Sequence, residues 1–275
     1  MLYTIFGILA RICSNSYINV SQKILTSKGV HSSCVNFYTY FGLTILCLLM
    51  LPFVKLTFSA ELLKNSLIMG ILGALGNYYI IKALSLGELS ALAPINSYKP
   101  VVALVVAFLY LHEIPSILSI LGIVLIIIGT YFIFSPKKSC SYKAVAYRIL
   151  ALIFSASEAI FIKKIILLSN VPESFILWAI TGFIFSTILA AKKCIISAKP
   201  QLKYQLSLVA LVAIMQYSTN FVFSRINIAC ALSLFQLSTI LSVYLGANIF
   251  NEKGLKRKLI ASMIMVIGAI IIIIS

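Results

Sequence analysis

The 275-residue chain is 61% hydrophobic and only 10% charged, whereas soluble domains average about 45–50% and about 25%. This composition excludes a water-soluble fold and indicates a protein of the lipid bilayer. The chain has 22 Lys and Arg but only six acidic residues, for a net charge of +16. Because the basic residues lie mostly in short gaps between apolar runs, they indicate membrane anchoring and orientation rather than nucleic-acid binding.

Ten apolar runs follow one another along the chain, each close to the roughly 20 residues that cross a bilayer as a helix. Pro or Gly stands in most of the gaps between them. We therefore predict an all-α integral membrane protein with ten transmembrane helices. The first run lacks a basic start and a cleavage site, so we expect it to be a true span. The predicted spans are approximately 3–22, 34–53, 66–86, 90–110, 116–134, 145–166, 174–191, 206–224, 230–250 and 257–274.

The second half of the chain repeats the first at an offset of 139 to 141 residues. Residues 9–25 and 150–166 share seven of 17 positions, and single identities such as Gly42 with Gly182 recur downstream. Five spans per half place the second half upside down relative to the first. The sequence thus predicts two inverted five-helix repeats, 1–136 and 137–275, which together form one transport domain.

The first span carries a polar stripe. Arg11, Asn15, Asn19 and Gln22 are spaced so that they share one helical face. A charge inside the bilayer indicates a functional site by default, so we expect this face to line a cavity. The alternative is a structural polar seam that facing helices satisfy.

The fourth span contains the most unusual stretch of the chain. Pro94 and Pro100 flank Asn96, Tyr98 and Lys99, and each proline removes a backbone donor from the helix. We predict a kinked helix with freed carbonyls beside a polar cluster, as in transporters whose broken helices bind substrate. A packing kink, with the lysine reaching toward the membrane surface, is the alternative.

The second half contributes three further candidate substrate-binding residues, Glu158, Asn220 and Gln236. Glu158 is the acidic residue inside a span, and it either pairs with Arg11 or Lys99 or carries a proton as the coupling group. The repeat aligns Glu158 with Tyr17, a residue of different chemistry, and we expect such mismatches to mark the substrate site. The mismatches are Arg11 with Leu152, Tyr17 with Glu158, and Lys99 with Ser238.

The loops indicate an orientation. Loops after odd-numbered spans, counted with the adjoining span ends, hold 15 basic residues, Arg148 and Lys258 among them, and those after even-numbered spans hold five. Since basic loops stay in the cytoplasm, this charge tally predicts that both termini lie on the opposite side. The six cysteines show no spacing typical of a disulfide set or metal site. Motifs for enzymatic catalysis are absent from the sequence, so we expect no enzyme, no cofactor and no metal.

The chain resembles the EamA-type ten-helix transporters of the drug/metabolite transporter superfamily. The resemblance covers both five-helix units. It rests on short motifs, with Asn251 and His112 standing where the family has Gly before Glu. These motifs are Lys23 and its repeat Lys164, the run from Ala93-Pro94 to His112-Glu113, Asn251-Glu252, and the Gly122 and Gly129 spacing.

This resemblance implies a secondary transporter with a cavity lined by helices 1, 3, 4, 6, 8 and 9, and cytoplasmic termini, contrary to the charge tally. We expect alternating-access transport of a small polar organic metabolite in the inner cell membrane. An amino acid or a nucleotide-like solute fits this description, and Arg11 with Lys99 favours an anionic one. Membrane lipid is an expected partner, and a coupling proton and a homodimer are left open. The alternatives are a non-transporting membrane sensor or scaffold and a channel.

Overall fold

The computed structural model describes residues 2–57, 59–99, 101–102, 116–133, 141–190, 194, 201–226 and 228–274. The secondary-structure elements in these ranges are helices and two short 3₁₀ turns, Leu51–Phe53 and Ala93–Tyr98. The all-helical prediction is therefore confirmed. In chain order the helices are α1 (Leu2–Ser27), α2 (Ser32–Met50), α3 (Ala60–Leu84), α4 (Leu89–Leu92), α5 (Ile117–Ile133), α6 (Tyr142–Leu168), α7 (Val171–Ala190), α8 (Leu202–Arg225), α9 (Ile228–Phe235), α10 (Leu237–Ile249) and α11 (Leu255–Ile274).

Four of the described helices are long and apolar enough to cross a bilayer. They are α2 with the turn that extends it to Phe53, α3, α7 and α8. Helices α5 and α10 are also apolar but shorter. Large aliphatic and aromatic side chains are exposed along α5 and α11, including Ile120, Ile127 and Ile267. This exposed apolar surface suits lipid. That the chain crosses the membrane ten times stays a prediction.

Helices from the first half of the chain pack against helices from the second half. Helix α1 packs along α8, α3 along both α6 and α7, α2 along α7 and α8, and α5 along α11. Small residues permit the closest of these contacts. A Cβ on Gly268 would lie 2.6 Å from the carbonyl oxygen of Gly122. The α5–α11 contact thus depends on glycine at this crossing.

The predicted break in the fourth span is present, and the second half contains a similar break. Helix α4 ends after four residues and continues as the 3₁₀ turn that contains Pro94. The carbonyl oxygen of Asn96 accepts a hydrogen bond from the Lys99 amide, so it is not free as expected. In the second half α9 and α10 are separated at Gln236, where the sequence has no proline to predict a break.

One end of the bundle holds a cluster of charged residues around Glu252. Glu252 Oε1 accepts hydrogen bonds from Lys23 Nζ (2.6 Å) and the Leu89 amide (2.9 Å), and Oε2 accepts one from the Ser90 amide (2.8 Å). Lys258 Nζ donates to the Ser90 hydroxyl (2.8 Å) and pairs with Glu88. The Glu252 carboxylate therefore caps α4, because the fold brings the α10–α11 connection to the start of that helix.

A disulfide also lies at this end of the bundle. Cys34, near the start of α2, is bonded to Cys194 in the connection between α7 and α8, with the two Cα atoms 5.2 Å apart. The expectation that the cysteines form no disulfide was wrong. The two residues are 160 positions apart in sequence, and local spacing gives no sign that the fold brings them together.

Candidate functional site

A polar cavity of about 120 Å³ lies in the middle of the helical bundle. Side chains from α1, α2, α3, α6, α7, α8, α9 and the turn Ala93–Tyr98 line it. The resemblance implied lining by spans 1, 3, 4, 6, 8 and 9, and all six contribute. Spans 2 and 7 contribute as well, through Tyr40 and Trp178.

The polar stripe of α1 faces this cavity with all four of its residues, Arg11, Asn15, Asn19 and Gln22. Its three amides also bind neighbouring helices. Asn15 Nδ2 donates to the Ser238 hydroxyl (3.1 Å), Asn19 Nδ2 to the Ser242 hydroxyl (3.3 Å), and Gln22 Nε2 to Asn77 Oδ1 (2.9 Å). The stripe therefore combines both interpretations drawn from the sequence, since it lines a cavity and joins α1 to α10 and α3.

Arg11 is held by an aromatic ring rather than by an acid. Its guanidinium carbon lies 4.8 Å from the centre of the Phe235 ring, a cation–π distance. Its Nε and Nη1 atoms are buried and have no hydrogen-bond partner among the described residues. Unpaired donors of a buried guanidinium are unfavourable, so a ligand in the cavity would stabilise them.

Lys99 and Glu158 lie in the same cavity wall. The Lys99 side chain is buried, and it interacts electrostatically with Arg11, Arg148 and Glu158. Glu158 Oε1 accepts a hydrogen bond from Trp178 Nε1 at 2.6 Å. The ion pairs found in the described residues do not include Glu158. The expected direct pairing with Arg11 or Lys99 is thus replaced by the indole hydrogen bond.

Arg148 is a cavity residue that the sequence prediction missed. We counted it with the charges of a cytoplasmic loop, but it lies in the second turn of α6, is only 5% exposed, and lines the cavity. Its Nε donates to the carbonyl oxygen of Leu92 at 3.2 Å. Because α6 begins at Tyr142, before the predicted span, Arg148 is placed one turn deeper than expected. Its separation of seven residues from Ser155, which also lines the cavity, places both on one face of α6 and is a sequence signal that could have indicated it.

Five of the eight predicted site residues line the cavity, namely Arg11, Asn15, Asn96, Lys99 and Glu158. The other three are outside the lining. The Tyr98 hydroxyl pairs with that of Thr130 (2.7 Å), and Asn220 binds Gln216 (2.9 Å) and the Ser174 hydroxyl (2.9 Å). Gln236 is 1% exposed at the break between α9 and α10. A role in substrate binding stays a prediction for all eight.

Residues that line the cavity recur at matching positions of the two halves. The offset in residue number between matching lining positions, here called the cavity register, is constant within each pair of helices. Gly73, Gly76, Asn77 and Ile80 of α3 match Val212, Met215, Gln216 and Thr219 of α8 at 139 residues, and Asn15, Ile18, Asn19 and Gln22 of α1 match Ser155, Glu158, Ala159 and Ile162 of α6 at 140.

This cavity register changes two of the mismatches read from the sequence. Glu158 corresponds to Ile18 rather than to Tyr17. In the broken spans, Asn96 and Lys99 match Leu232 and Phe235 at an offset of 136, so Lys99 corresponds to Phe235 rather than to Ser238. The two alignments differ because one matches identical residues, whereas the other matches the side chains that face the cavity.

Comparisons with known proteins agree with this architecture. Residues 1–135 match the model of the EamA-like transporter family. A crystal structure with no stated function matches with a TM-score of 0.67 and 13% identity, over 98% of this chain and 96% of its own. No curated protein matches the chain. At that identity the crystal structure supports the fold alone, and the family rests on the match in the first half. The chain is a multi-pass membrane protein, and its first half is that of the EamA-like transporter family, within the drug/metabolite transporter superfamily.

Proposed function

We propose that this protein is a secondary transporter of the inner cell membrane that moves a small polar organic metabolite by alternating access. The observation that carries the proposal is the charged cavity in the middle of the bundle, with Arg11, Lys99 and Glu158 in its wall. Buried charges in a membrane protein are unfavourable unless they serve a ligand or a pathway. A scaffold or sensor without ligand would have no use for them.

An inverted repeat is part of this proposal. In such a repeat, α1, α2, α3 and α5 would correspond in order to α6, α7, α8 and α11. The counterpart of the α1–α8 contact is then the α6–α3 contact, and both are present. The contact of α3 with α7 likewise becomes that of α8 with α2. The matched cavity register supports the same two-fold relation. Transporters of this kind bind substrate between the repeats near the bilayer midplane.

The size of the cavity favours a small substrate. About 120 Å³ is less than the roughly 300–1,000 Å³ of pockets that enclose drug-sized ligands. An amino-acid-sized solute therefore suits it better than a nucleotide. Glu158 is the proposed proton carrier if transport is proton-coupled, because it is the carboxylate in the cavity lining.

The test is transport by the purified full-length protein in liposomes. We expect saturable flux with counterflow, and we expect Lys99→Ala to abolish it while the protein stays folded. The matched control is Lys64→Ala, which removes an exposed lysine near the start of α3 and should leave flux unchanged. Flux that does not saturate would indicate a channel, and ligand binding without flux would indicate a sensor. Unchanged flux in Lys99→Ala would remove that residue from the site.

A further inference from the structure

We infer that the cavity selects a substrate with two negative charges, such as a dicarboxylate or a phosphate monoester. This inference rests on the proposed function and specifies its substrate class. Three cationic side chains line the cavity, Arg11, Lys99 and Arg148, and they face one carboxylate, Glu158. With all four ionised, the wall has an excess of two positive charges.

Transfer of a proton from Lys99 to Glu158 does not change this excess. Lys99 and Glu158 interact electrostatically with each other. If a proton passes from Lys99 to Glu158, both become neutral, and the two arginines still leave an excess of two. Arginine stays protonated in proteins. A monoanion would therefore leave one buried charge uncompensated in either state, whereas a dianion compensates both.

The two arginines also offer the donors that anionic groups need. Nε and Nη1 of Arg11 are buried without a partner in the described part of the chain. The hydrogen bond from Arg148 Nε to the Leu92 carbonyl oxygen fixes that guanidinium, and the side chain lines the cavity. A guanidinium binds a carboxylate or phosphate with paired hydrogen bonds. Two guanidinium groups can thus bind two anionic groups, or two sides of one phosphate.

The cavity wall also offers uncharged hydrogen-bonding groups, which suit a polar solute. Gln22 Oε1 and the Tyr40 hydroxyl line the cavity, and both are buried without a partner among the described residues. The Arg11 guanidinium rests on the Phe235 ring, which holds its face and leaves its edge for the ligand. Arg11 comes from the first half and Arg148 from the second, so a dianion would contact both.

The test is thermal stabilisation of the purified full-length protein by small probes at about pH 8, where phosphate monoesters are doubly charged. The dianions are succinate and ethyl phosphate, the monoanion is butyrate, and the neutral probe is succinamide. We expect the dianions to raise the unfolding temperature at concentrations at least about tenfold lower than butyrate or succinamide require. Equal effects of succinate and butyrate, or no effect of either dianion, would overturn the inference.

Variants identify the residues responsible. Arg148→Gln should weaken succinate binding at least about tenfold and change butyrate binding by less than about twofold. The control, Arg225→Gln, removes an exposed arginine at the end of α8 that lies over Phe221, and it should bind succinate normally. If Arg148→Gln does not fold, Arg11→Gln is the second variant, with the same expected loss. A full preference for succinate in both arginine variants would contradict the inference.

Counterflow in liposomes separates this inference from the proposed function. Saturable flux of butyrate or succinamide, without flux of either dianion, would leave the carrier intact and refute the substrate class. Dianion binding without any flux would support the substrate class and refute the carrier. We expect succinate counterflow, and we expect Arg148→Gln to lower it at least about tenfold at a subsaturating concentration.

Discussion

Gly73 lies directly against the carboxylate of Glu158, so that a Cβ at this position would overlap Glu158 Oε1. The same Cβ would lie 3.2 Å from Trp178 Nε1, the donor that holds this oxygen. The carboxylate–indole hydrogen bond thus occupies the space that a side chain at position 73 would fill. One turn along α3, a Cβ on Gly76 would meet its nearest neighbours at 3.5 Å, an ordinary contact.

Replacing Gly73 with Ala should displace Glu158 and destabilise the protein by about 1–3 kcal/mol, the usual effect of overpacking. Gly76→Ala is the control, and we expect it to be neutral or slightly stabilising because Ala favours a helix. The readout is thermal unfolding together with the fluorescence of Trp178, which is the single tryptophan of the chain. Identical emission spectra for Gly73→Ala and the unmodified protein would show that the carboxylate has not moved.

The hydrogen bond between Trp178 and Glu158 should couple the two residues energetically. We expect a double-mutant cycle with Trp178→Phe and Glu158→Ala to give a coupling of about 1.5–3 kcal/mol, the range for a hydrogen bond to a charged group. Unfolding free energies of the four proteins provide the measurement. A coupling below about 0.5 kcal/mol would mean that each side chain contributes independently.

Glu252 should make stability depend on pH at the charged end of the bundle. Burial alone would raise the pKa of Glu252, but hydrogen bonds from Lys23 and Ser90 outweigh burial and lower it below its usual value. The folded protein therefore holds this carboxylate ionised more readily than the unfolded chain does, where its pKa is about 4.3. Its stabilisation is complete above that value and is lost as the pH falls through the folded-state pKa.

Accordingly, Glu252→Gln should lower the unfolding temperature at neutral pH, and the difference from the unmodified protein should shrink below about pH 4. Glu61→Gln is the matched control, because Glu61 is exposed at the start of α3. We expect its effect to stay within about 0.5 kcal/mol. A Glu252→Gln deficit that is constant from neutral to acidic pH would show that the carboxylate charge does not contribute.

The disulfide predicts an orientation opposite to that of the charge tally. Disulfides persist in oxidising compartments, so the end with Cys34 and Cys194 should lie outside the cytoplasm. Two residues counted in the tally, Arg148 and Lys258, are buried in the cavity wall and the Glu252 cluster. They therefore do not act as free loop charges. A C-terminal reporter active only in the cytoplasm should be active.

The same reporter inserted at Gly29 is the control for this topology. Gly29 is exposed in the α1–α2 connection with a φ of 85°, at the end of the bundle that holds the disulfide. We expect that insertion to be silent. A silent C-terminal fusion and an active Gly29 insertion would support the charge tally and would mean that the cysteines are reduced in the cell.

Much of the fold follows from patterns within single helices. The apolar runs predict the helices, Pro94 predicts the break after α4, and the spacing of Arg11, Asn15, Asn19 and Gln22 predicts their common face. The break at Gln236 has no comparable signal, because no proline removes a donor there. The disulfide and the Glu252 cap were also unpredictable, since each joins residues that are more than 150 positions apart.

The candidate site was predicted less completely, because its geometry depends on helix rotation and depth. Arg148 was missed because a base near the end of an apolar run has the same sequence signature whether it faces a loop or a cavity. Tyr98 lies next to Lys99, yet the 3₁₀ turn directs its hydroxyl to Thr130 on α5. Only the packing of both halves determines which of two neighbouring side chains faces inward.

The correspondence of Lys99 with Phe235 has a consequence for a transport cycle. In an exactly symmetric pair of repeats, the states open to each side of the membrane would have equal energy in the empty protein. Here one repeat places an ammonium group where the other places an aromatic ring, and Arg11 rests on that ring. Under the alternating access proposed above, the two end states would expose different charges to water and differ in energy, so an empty carrier would rest on one side of the membrane.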